Sequence, residues 1–96
     1  MAIVLVIDVR MTPEQYDEAF PELGLERNPA PGDQVHLAWA TPDGGMRVVD
    51  VWESQEAFDA FVRERLGAVL QKYGVPQPSV ATFPLHNGYT PAGLLR

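Results

Sequence analysis

The chain has 96 residues, 46% of them hydrophobic, which predicts one domain over residues 1–96 that buries about 60 to 65% of its unfolded surface. It contains no cysteine, which excludes disulfides and thiolate metal or redox sites. Thirteen acidic and seven basic side chains give a net charge of −6, so nucleic acid and anionic membrane are not expected partners. No apolar run approaches the roughly 20 residues of a membrane helix. We therefore expect a soluble, cytoplasmic protein.

The first predicted elements are an apolar strand and a capped helix. Residues 2–9 are almost continuously apolar and lack a basic leader, which favours a buried strand over a signal peptide. The run Thr12-Pro13-Glu14-Gln15 supplies an N-cap, a first-turn proline and a capping-box glutamine. We expect the following helix to end at Gly24, with its last turn kinked or shortened by Pro21.

A hairpin is predicted next, after a loop rich in proline and glycine. Residues 35–40 and 46–53 have strand composition. The segment Thr41-Pro42-Asp43-Gly44-Gly45 between them favours a three-residue loop with a glycine bulge. That register places His36 opposite Asp50.

The second half of the chain predicts a long helix and a last strand. Ser54 is the expected N-cap of a helix whose apolar stripe ends near Gly74, and residues 79–85 follow as an edge-like strand. The tail, residues 87–96, is expected either to be flexible or to contact a partner. The order βαββαβ predicts an α+β, ferredoxin-like fold, with a four-stranded antiparallel sheet that carries two helices on one face and dimerises through the other.

Side-chain alternation assigns residues to the two faces of this sheet. The parity of the strands sends Val49, Val51 and Trp39 to the helix face, together with Ile3, Leu5, Ile7 and Val9. The face away from the helices is then expected to carry Val4, Val6, Asp8, His36, Ala38, Val48, Asp50 and Trp52. Because that set is too apolar to lie open to water, we expect a second copy to cover it and the homodimer to enclose a cavity there.

The junction Val49-Asp50-Val51-Trp52-Glu53-Ser54, followed by Glu56-Ala57-Phe58 and Phe61, resembles the dimeric α+β barrel superfamily and its antibiotic-biosynthesis-monooxygenase-like domains. The resemblance covers nearly the whole chain as topology. It implies a homodimer related to cofactor-independent monooxygenases of aromatic polyketides, to haem-degrading oxygenases and to domains without assigned activity. It also implies that Trp52 lines the pocket. The haem-degrading branch has an Asn on the first strand and a His on the second helix, whereas this chain offers Asp8 and no His over residues 54–73, which disfavours haem degradation.

His36 and Asp50 are the candidate catalytic pair, since a carboxylate can orient an imidazole as a general base. The alternative is a buried, hydrogen-bonded structural pair. Trp52 is expected either to bind a flat aromatic ligand through its ring or indole N–H, or to close the dimer interface. Asp8 either shares the cavity as a second carboxylate or lies at its rim.

Three further residues complete the candidate binding set: Val6 and Val48 as wall residues and His86 at the mouth of the pocket. Two histidines with scattered aspartates lack a recognisable metal-ligand spacing, so no metal and no cofactor are expected. The sequence predicts a homodimer that binds a compact aromatic or otherwise apolar molecule and acts as a cofactor-independent monooxygenase through His36. The alternatives are a non-catalytic dimeric module whose enclosed face is only an interface and, less favoured, a haem-binding protein.

Overall fold

The structure is a computed structural model in which residues 1–95 are described; Arg96, the end of the predicted tail, lies outside them. The elements are β1 (Ile3–Val9), α1 (Pro13–Ala19), β2 (Asp33–Ala40), β3 (Met46–Trp52), α2 (Gln55–Phe61), α3 (Gly67–Lys72), β4 (Ser79–Pro84), β5 (Tyr89–Thr90) and β6 (Gly93–Leu94). The main sheet has the antiparallel order β2-β3-β1-β4. The predicted ferredoxin-like α+β fold is confirmed.

Helix α1 begins and ends as its sequence indicates. The Thr12 hydroxyl accepts from the Gln15 backbone N–H at 3.1 Å, and the Gln15 side chain accepts from the Thr12 N–H at 2.9 Å. Pro21 cannot donate a helical hydrogen bond, so the α-helix gives way to a 3-10 turn, Phe20–Leu23. Gly24 then ends the turn at φ 70°, a left-handed conformation that suits glycine.

The β2–β3 hairpin also follows the prediction. The Thr41 N–H donates to the Gly45 carbonyl at 2.9 Å, which leaves a three-residue loop with Gly44 at φ 89°. This loop sets the register and places His36 directly opposite Asp50. At the other end of β2 the register shifts between Asp33 and Val35, a bulge that the sequence did not reveal.

The second helix contains a π-helical turn. Ser54 caps α2 by accepting from the Ala57 N–H at 3.1 Å. A five-residue π turn, Val62–Leu66, then links α2 to α3, with the Gly67 N–H donating to the Val62 carbonyl. From this turn Arg65 Nη1 donates to the carbonyls of Leu23 at 3.3 Å and Asn28 at 2.5 Å, so it ties the loop after α1 to the helix.

The predicted assignment of residues to the sheet faces was wrong for two strands. Cross-strand partners share a face, and the β1 partners Ile3, Leu5 and Ile7 lie opposite Trp52, Asp50 and Val48. The helix face therefore carries His36, Ala38, Val48, Asp50 and Trp52, whereas Val49, Val51 and Trp39 lie on the other face. The error arose because β3 was oriented by its most apolar parity, while the buried polar group Asp50 belongs to the other parity.

The helices cover one face of the sheet and leave the other open. The core between sheet and helices contains Leu5, Ile7, Ala30, Val48, Trp52, Phe58 and Phe61. The opposite face, called the open face below, carries Val4, Val6, Val35, Leu37, Trp39, Val49, Val51, Ala81 and Phe83. After β4, the short strands β5 and β6 pair as a separate hairpin. Within residues 1–95, each helix falls short of the length and apolarity needed to span a bilayer.

Candidate active site

A cavity of about 70 Å³ lies between the sheet and the helices of the single chain. Its polar side is formed by Tyr16, Asp33, His36, Asp50 and Trp52. The remaining walls are almost wholly apolar and come from the sheet, the helices and the segments between them: Ile7, Val9, Met11, Ala19, Phe20, Leu23, Leu25, Val48, Phe61, Leu66, Val69, Leu70 and Pro78. This cavity thus lies on the covered side of the sheet, whereas the cavity expected between two subunits stays a prediction.

Four side chains form a continuous hydrogen-bonded chain along this polar side. Tyr16 Oη lies 2.5 Å from His36 Nε2, and His36 Nδ1 lies 2.7 Å from Asp50 Oδ1. The indole Nε1 of Trp52 donates to Asp50 Oδ2 at 3.1 Å. Because an ionised carboxylate only accepts, Nδ1 of His36 is the donor toward Asp50. In a neutral imidazole Nε2 then accepts, so the Tyr16 hydroxyl donates to it.

The aromatic rings hold this chain in place from both sides. Phe20 stacks on His36 with ring centroids 5.3 Å apart, and the Tyr16 ring lies almost parallel to the imidazole. Behind Asp50, Trp52 is 1% exposed and packs against Phe58 and Phe61 at centroid distances of 5.7 and 5.1 Å. Trp52 therefore supports Asp50 from the core, and its N–H is already engaged by that carboxylate.

Burial changes the acidity of Tyr16. Desolvation, followed by the negative charges of Asp50 and Asp17, raises the Tyr16 pKa from 10 to about 12. The phenol consequently keeps its proton throughout the neutral range. It can pass a proton to His36 only while it takes one from elsewhere, so its chemistry is that of a relay.

Asp33 adds a second carboxylate to the cavity. It lies opposite Trp52 on the covered face, and its Oδ1 is buried without a hydrogen-bond partner among residues 1–95. Desolvation, together with the nearby Asp50 charge, raises its pKa from 3.8 to about 6, against a smaller lowering by His36. The charged form of Asp33 is thus disfavoured while the cavity holds no donor for it.

The cavity volume limits what fits without movement. An apolar cavity that binds benzene measures about 150 Å³, roughly twice the volume found here. A six-membered ring therefore requires a wall to move outward. The 3-10 turn that contributes Phe20 and Leu23 is one wall with less regular hydrogen bonding than an α-helix.

The structure brings together four of the seven residues that the sequence singled out. His36, Asp50, Trp52 and Val48 all line the cavity. The others lie elsewhere. Val6 and Asp8 project to the open face, where the Asp8 carboxylate pairs with Arg47 Nε at 2.7 Å. His86 is exposed beyond the end of β4. Val6 and Asp8 thus lie on the face predicted for them, and the role of all three residues in a pocket enclosed by two copies stays a prediction.

Two residues of the polar side escaped the sequence reasoning. Tyr16 counted only as one position in an apolar helical stripe, although a tyrosine in such a stripe has a hydroxyl that needs a partner when it is buried. Asp33 was assigned to the loop before β2. Its position at the start of a strand was the available signal, but the bulge that turns it inward has no signature in the sequence.

No group of three or more potential metal ligands is assembled within the described part of the chain. His36 and Asp50 are hydrogen-bonded to each other, and Asp33 lines the same cavity with its Oδ1 unpaired among residues 1–95. These side chains are arranged to transfer protons next to an apolar space.

Solved structures of antibiotic-biosynthesis-monooxygenase-like proteins share this fold. A candidate antibiotic biosynthesis monooxygenase from Chloroflexus aurantiacus J-10-fl has a TM-score of 0.68 at 17% identity, covering 94% of this chain and 98% of that one. A second candidate, from Caulobacter crescentus CB15, has a TM-score of 0.69 at 17% identity, with 88% and 89% covered. SnoaB, a cofactor-independent oxygenase from Streptomyces nogalater, has a TM-score of 0.60 at 16% identity, with 88% and 91% covered.

These comparisons establish the fold. The chain has the antibiotic-biosynthesis-monooxygenase-like α+β fold, at sequence identities that carry no statement about the reaction. No protein-family model and no curated protein sequence matches the chain.

Proposed function

We propose that the protein binds a compact aromatic molecule with an acidic hydroxyl group and oxidises it with dioxygen, without a cofactor. The observation that carries this proposal is the hydrogen-bonded chain Tyr16–His36–Asp50 at the edge of an apolar cavity. An apolar space with a few convergent polar groups is the usual form of a small-molecule site. The cofactor-independent oxygenase SnoaB, which shares the fold, supports the choice of chemistry.

The hydrogen bonds define the path of the first proton. His36 Nδ1 is occupied by Asp50 and Nε2 by Tyr16, so the imidazole has no free nitrogen for a substrate. The substrate hydroxyl therefore meets the Tyr16 oxygen, which accepts its proton while donating its own to His36. Asp50 stabilises the imidazolium that results, and Trp52 fixes the carboxylate through Oδ2.

The oxidation itself balances between substrate and dioxygen. When a phenol becomes a quinone, one oxygen atom forms the second carbonyl group. The other leaves as water with the two hydrogen atoms that the substrate loses. The substrate gives up four electrons and dioxygen accepts all four, so no further reductant enters. The contribution of the protein is to form the electron-rich phenolate in a space from which bulk water is excluded.

A second candidate function is a non-catalytic module, and the small cavity favours it. The polar side-chain atoms of the hydrogen-bonded network Tyr16–His36–Asp50–Trp52 all have a partner, as expected for a structural network. A volume of about 70 Å³ also admits no ring until a wall moves. In this alternative the four side chains specify core packing, and the cavity is a packing defect.

We further propose that the protein is a homodimer through its open face. Leu37, Trp39 and Phe83 are exposed there by 59%, 45% and 52%, on a surface of mainly branched apolar residues. Contiguous apolar area of this kind is uncommon on monomers and typical of interfaces. The Asp8–Arg47 ion pair lies at one end of the same face. The open faces of two copies can pack against each other in a symmetric interface.

Dioxygen uptake tests the catalytic proposal. We expect phenol, catechol or 1-naphthol to drive uptake in an oxygen electrode, with one quinone formed for each dioxygen consumed. His36→Ala should lower the rate by roughly 10²-fold or more. His86→Ala is the matched control, since His86 is exposed and outside the cavity. Equal rates for the protein and His36→Ala would remove the hydrogen-bonded chain from the mechanism and leave the non-catalytic candidate.

A further inference from the structure

Asp33 and His36 face the same cavity although they are three residues apart on one strand. In a regular strand an odd separation puts two side chains on opposite faces. The bulge between Asp33 and Val35 removes one step of the alternation, so Asp33 pairs opposite Trp52 while His36 pairs opposite Asp50. The irregularity therefore aims a carboxylate into the site.

The backbone around Asp33 is held on both sides. The Asp33 N–H donates to the Ala30 carbonyl at 3.1 Å, and the Gly32 carbonyl accepts from the Glu53 N–H at 2.8 Å. Gly32 has φ 89°, and a Cβ there would lie 2.6 Å from the Ala57 Cβ. Only glycine permits this close approach to the start of α2. Asp33 is thus placed by structure on either side of it.

The hydrogen bonds already made leave Asp33 as an acceptor available to a ligand, in addition to the Tyr16 oxygen. Asp50 uses both oxygens, and Tyr16 and His36 bind each other. Oδ1 of Asp33 is buried and has no partner among residues 1–95. A buried acceptor without a partner is costly, and a carboxylate can be satisfied only by a donor.

We propose that Asp33 Oδ1 is the specificity-determining acceptor of the cavity, which selects uncharged aromatic molecules that carry a second hydroxyl or N–H group, beside the hydroxyl that meets Tyr16, over analogues without the second donor and over anions. This inference rests on the proposed binding of an aromatic molecule in the cavity. Anions are rejected because Asp33 and Asp50 both present carboxylates. Ammonium groups are disfavoured by the almost wholly apolar walls, where an ion loses its hydration.

Binding of catechol, 2-fluorophenol and benzoate, measured by NMR chemical-shift titration, tests the inference. Catechol and 2-fluorophenol have similar shapes and differ in the second donor. We expect catechol to bind roughly tenfold to hundredfold more tightly than 2-fluorophenol, and benzoate not to bind. Asp33→Leu should abolish the preference for catechol, whereas Asp33→Asn, which keeps an acceptor oxygen, should retain most of it. Asp8→Leu is the matched control on the open face and should leave the preference unchanged.

The outcomes separate this inference from the proposal on which it rests. Binding of catechol and 2-fluorophenol with equal affinity would overturn the role of Asp33 and leave an aromatic site. A preference for catechol that survives Asp33→Leu would do the same. Shift changes with none of the three probes would overturn the aromatic site itself. Because Asp33→Leu removes an unpaired buried acceptor, we expect it to fold, and its NMR spectrum verifies this before titration.

Discussion

Trp52 donates its indole N–H to the carboxylate of Asp50, two residues earlier on the same face of β3, at 3.1 Å. Both residues are almost fully buried, so neither group has water as an alternative partner. Trp52 thus fixes the carboxylate that orients His36, because it donates to the second oxygen of that carboxylate. This relationship gives Trp52 a role that packing alone would not require.

Trp52→Phe removes the N–H and keeps an aromatic ring, and we expect it to lower the free energy of unfolding by about 2 to 4 kcal/mol. The loss combines an unpaired buried oxygen on Asp50 with a smaller ring in the core. Urea unfolding measures it. Trp39→Phe is the matched control: Trp39 is 45% exposed on the open face, and it should change stability much less. Equal losses in the two variants would contradict a structural role for the Trp52–Asp50 bond.

Tyr16→Phe deletes the hydroxyl that separates a substrate from His36. If Tyr16 relays the proton, oxidation of a bound phenol should slow by roughly 10²-fold, while the substrate still binds. Tyr73→Phe is the control, because the Tyr73 hydroxyl bonds to Glu22 at the surface and has no part in the cavity. A rate that rises in Tyr16→Phe would instead show that the substrate reaches His36 directly once the hydroxyl is gone.

Asp33→Asn should be more stable than the parent protein at neutral pH and equally stable in acid. Burial, then the charge of Asp50, raises the Asp33 pKa to about 6, against a smaller lowering by His36. The folded state therefore binds a proton more tightly than the unfolded state, and stability falls as the pH rises from about 4 to about 6. The rise of the Asp33 pKa from 3.8 to about 6 corresponds to nearly 3 kcal/mol, which partial exposure of the side chain reduces to about 1 kcal/mol.

Urea unfolding of both proteins near pH 4 and near pH 8 measures this difference. Asp17→Asn, on the exposed side of α1, serves as the comparison and should track the parent protein at both values. A constant difference between Asp33→Asn and the parent across this range would show that Asp33 ionises normally in the folded protein.

Leu37→Glu should convert the proposed dimer to a monomer. The substitution places a charge on the open face directly opposite Val49, where it would lose its hydration without a partner in the interface. Light scattering coupled to size exclusion reads the mass directly. Leu94→Glu, at an exposed apolar residue on the β5–β6 hairpin, should leave the mass unchanged. A parent protein that already elutes as a monomer would overturn the dimer without touching the cavity.

Gly32→Ala should destabilise the protein by about 2 kcal/mol or more, since it adds a Cβ at a left-handed φ and within 2.6 Å of Ala57. Gly44→Ala is the matched control, also at φ 89° but with open space around the added atom. The difference between their urea midpoints isolates the contact from the backbone strain. Similar losses would mean that the loop before β2 yields to the added methyl group.

Local signals predicted most of this fold. The capping box at Thr12, the interruption at Pro21 and the glycine of the hairpin loop each act within a few residues, so the sequence contains their whole cause. The same hairpin loop determined the pairing of His36 with Asp50 correctly. The catalytic role of that pair stays a prediction.

The choice of sheet face and the bulge at Asp33 depend on interactions that a sequence does not display. The two alternating sets of β3 side chains are both largely apolar, and only the packing of the helices determines which set is covered. Hydrophobic content favoured the wrong set. The set that contains Asp50 counts as polar in the sequence, because the hydrogen-bond partners that allow Asp50 to be buried are not visible there. Tyr16 was missed for the same reason, since its partner His36 is 20 residues away.

The hydrogen-bonded chain from Tyr16 through His36 and Asp50 to Trp52 is completed within one polypeptide. Two damaged chains therefore cannot repair each other: a mixture of His36→Ala and Asp33→Leu proteins, even if they exchange subunits freely, would contain no intact site. The specific activity of the parent protein should likewise stay constant on dilution below the dissociation constant of the dimer. Association would then govern solubility and lifetime, while each copy works on its own.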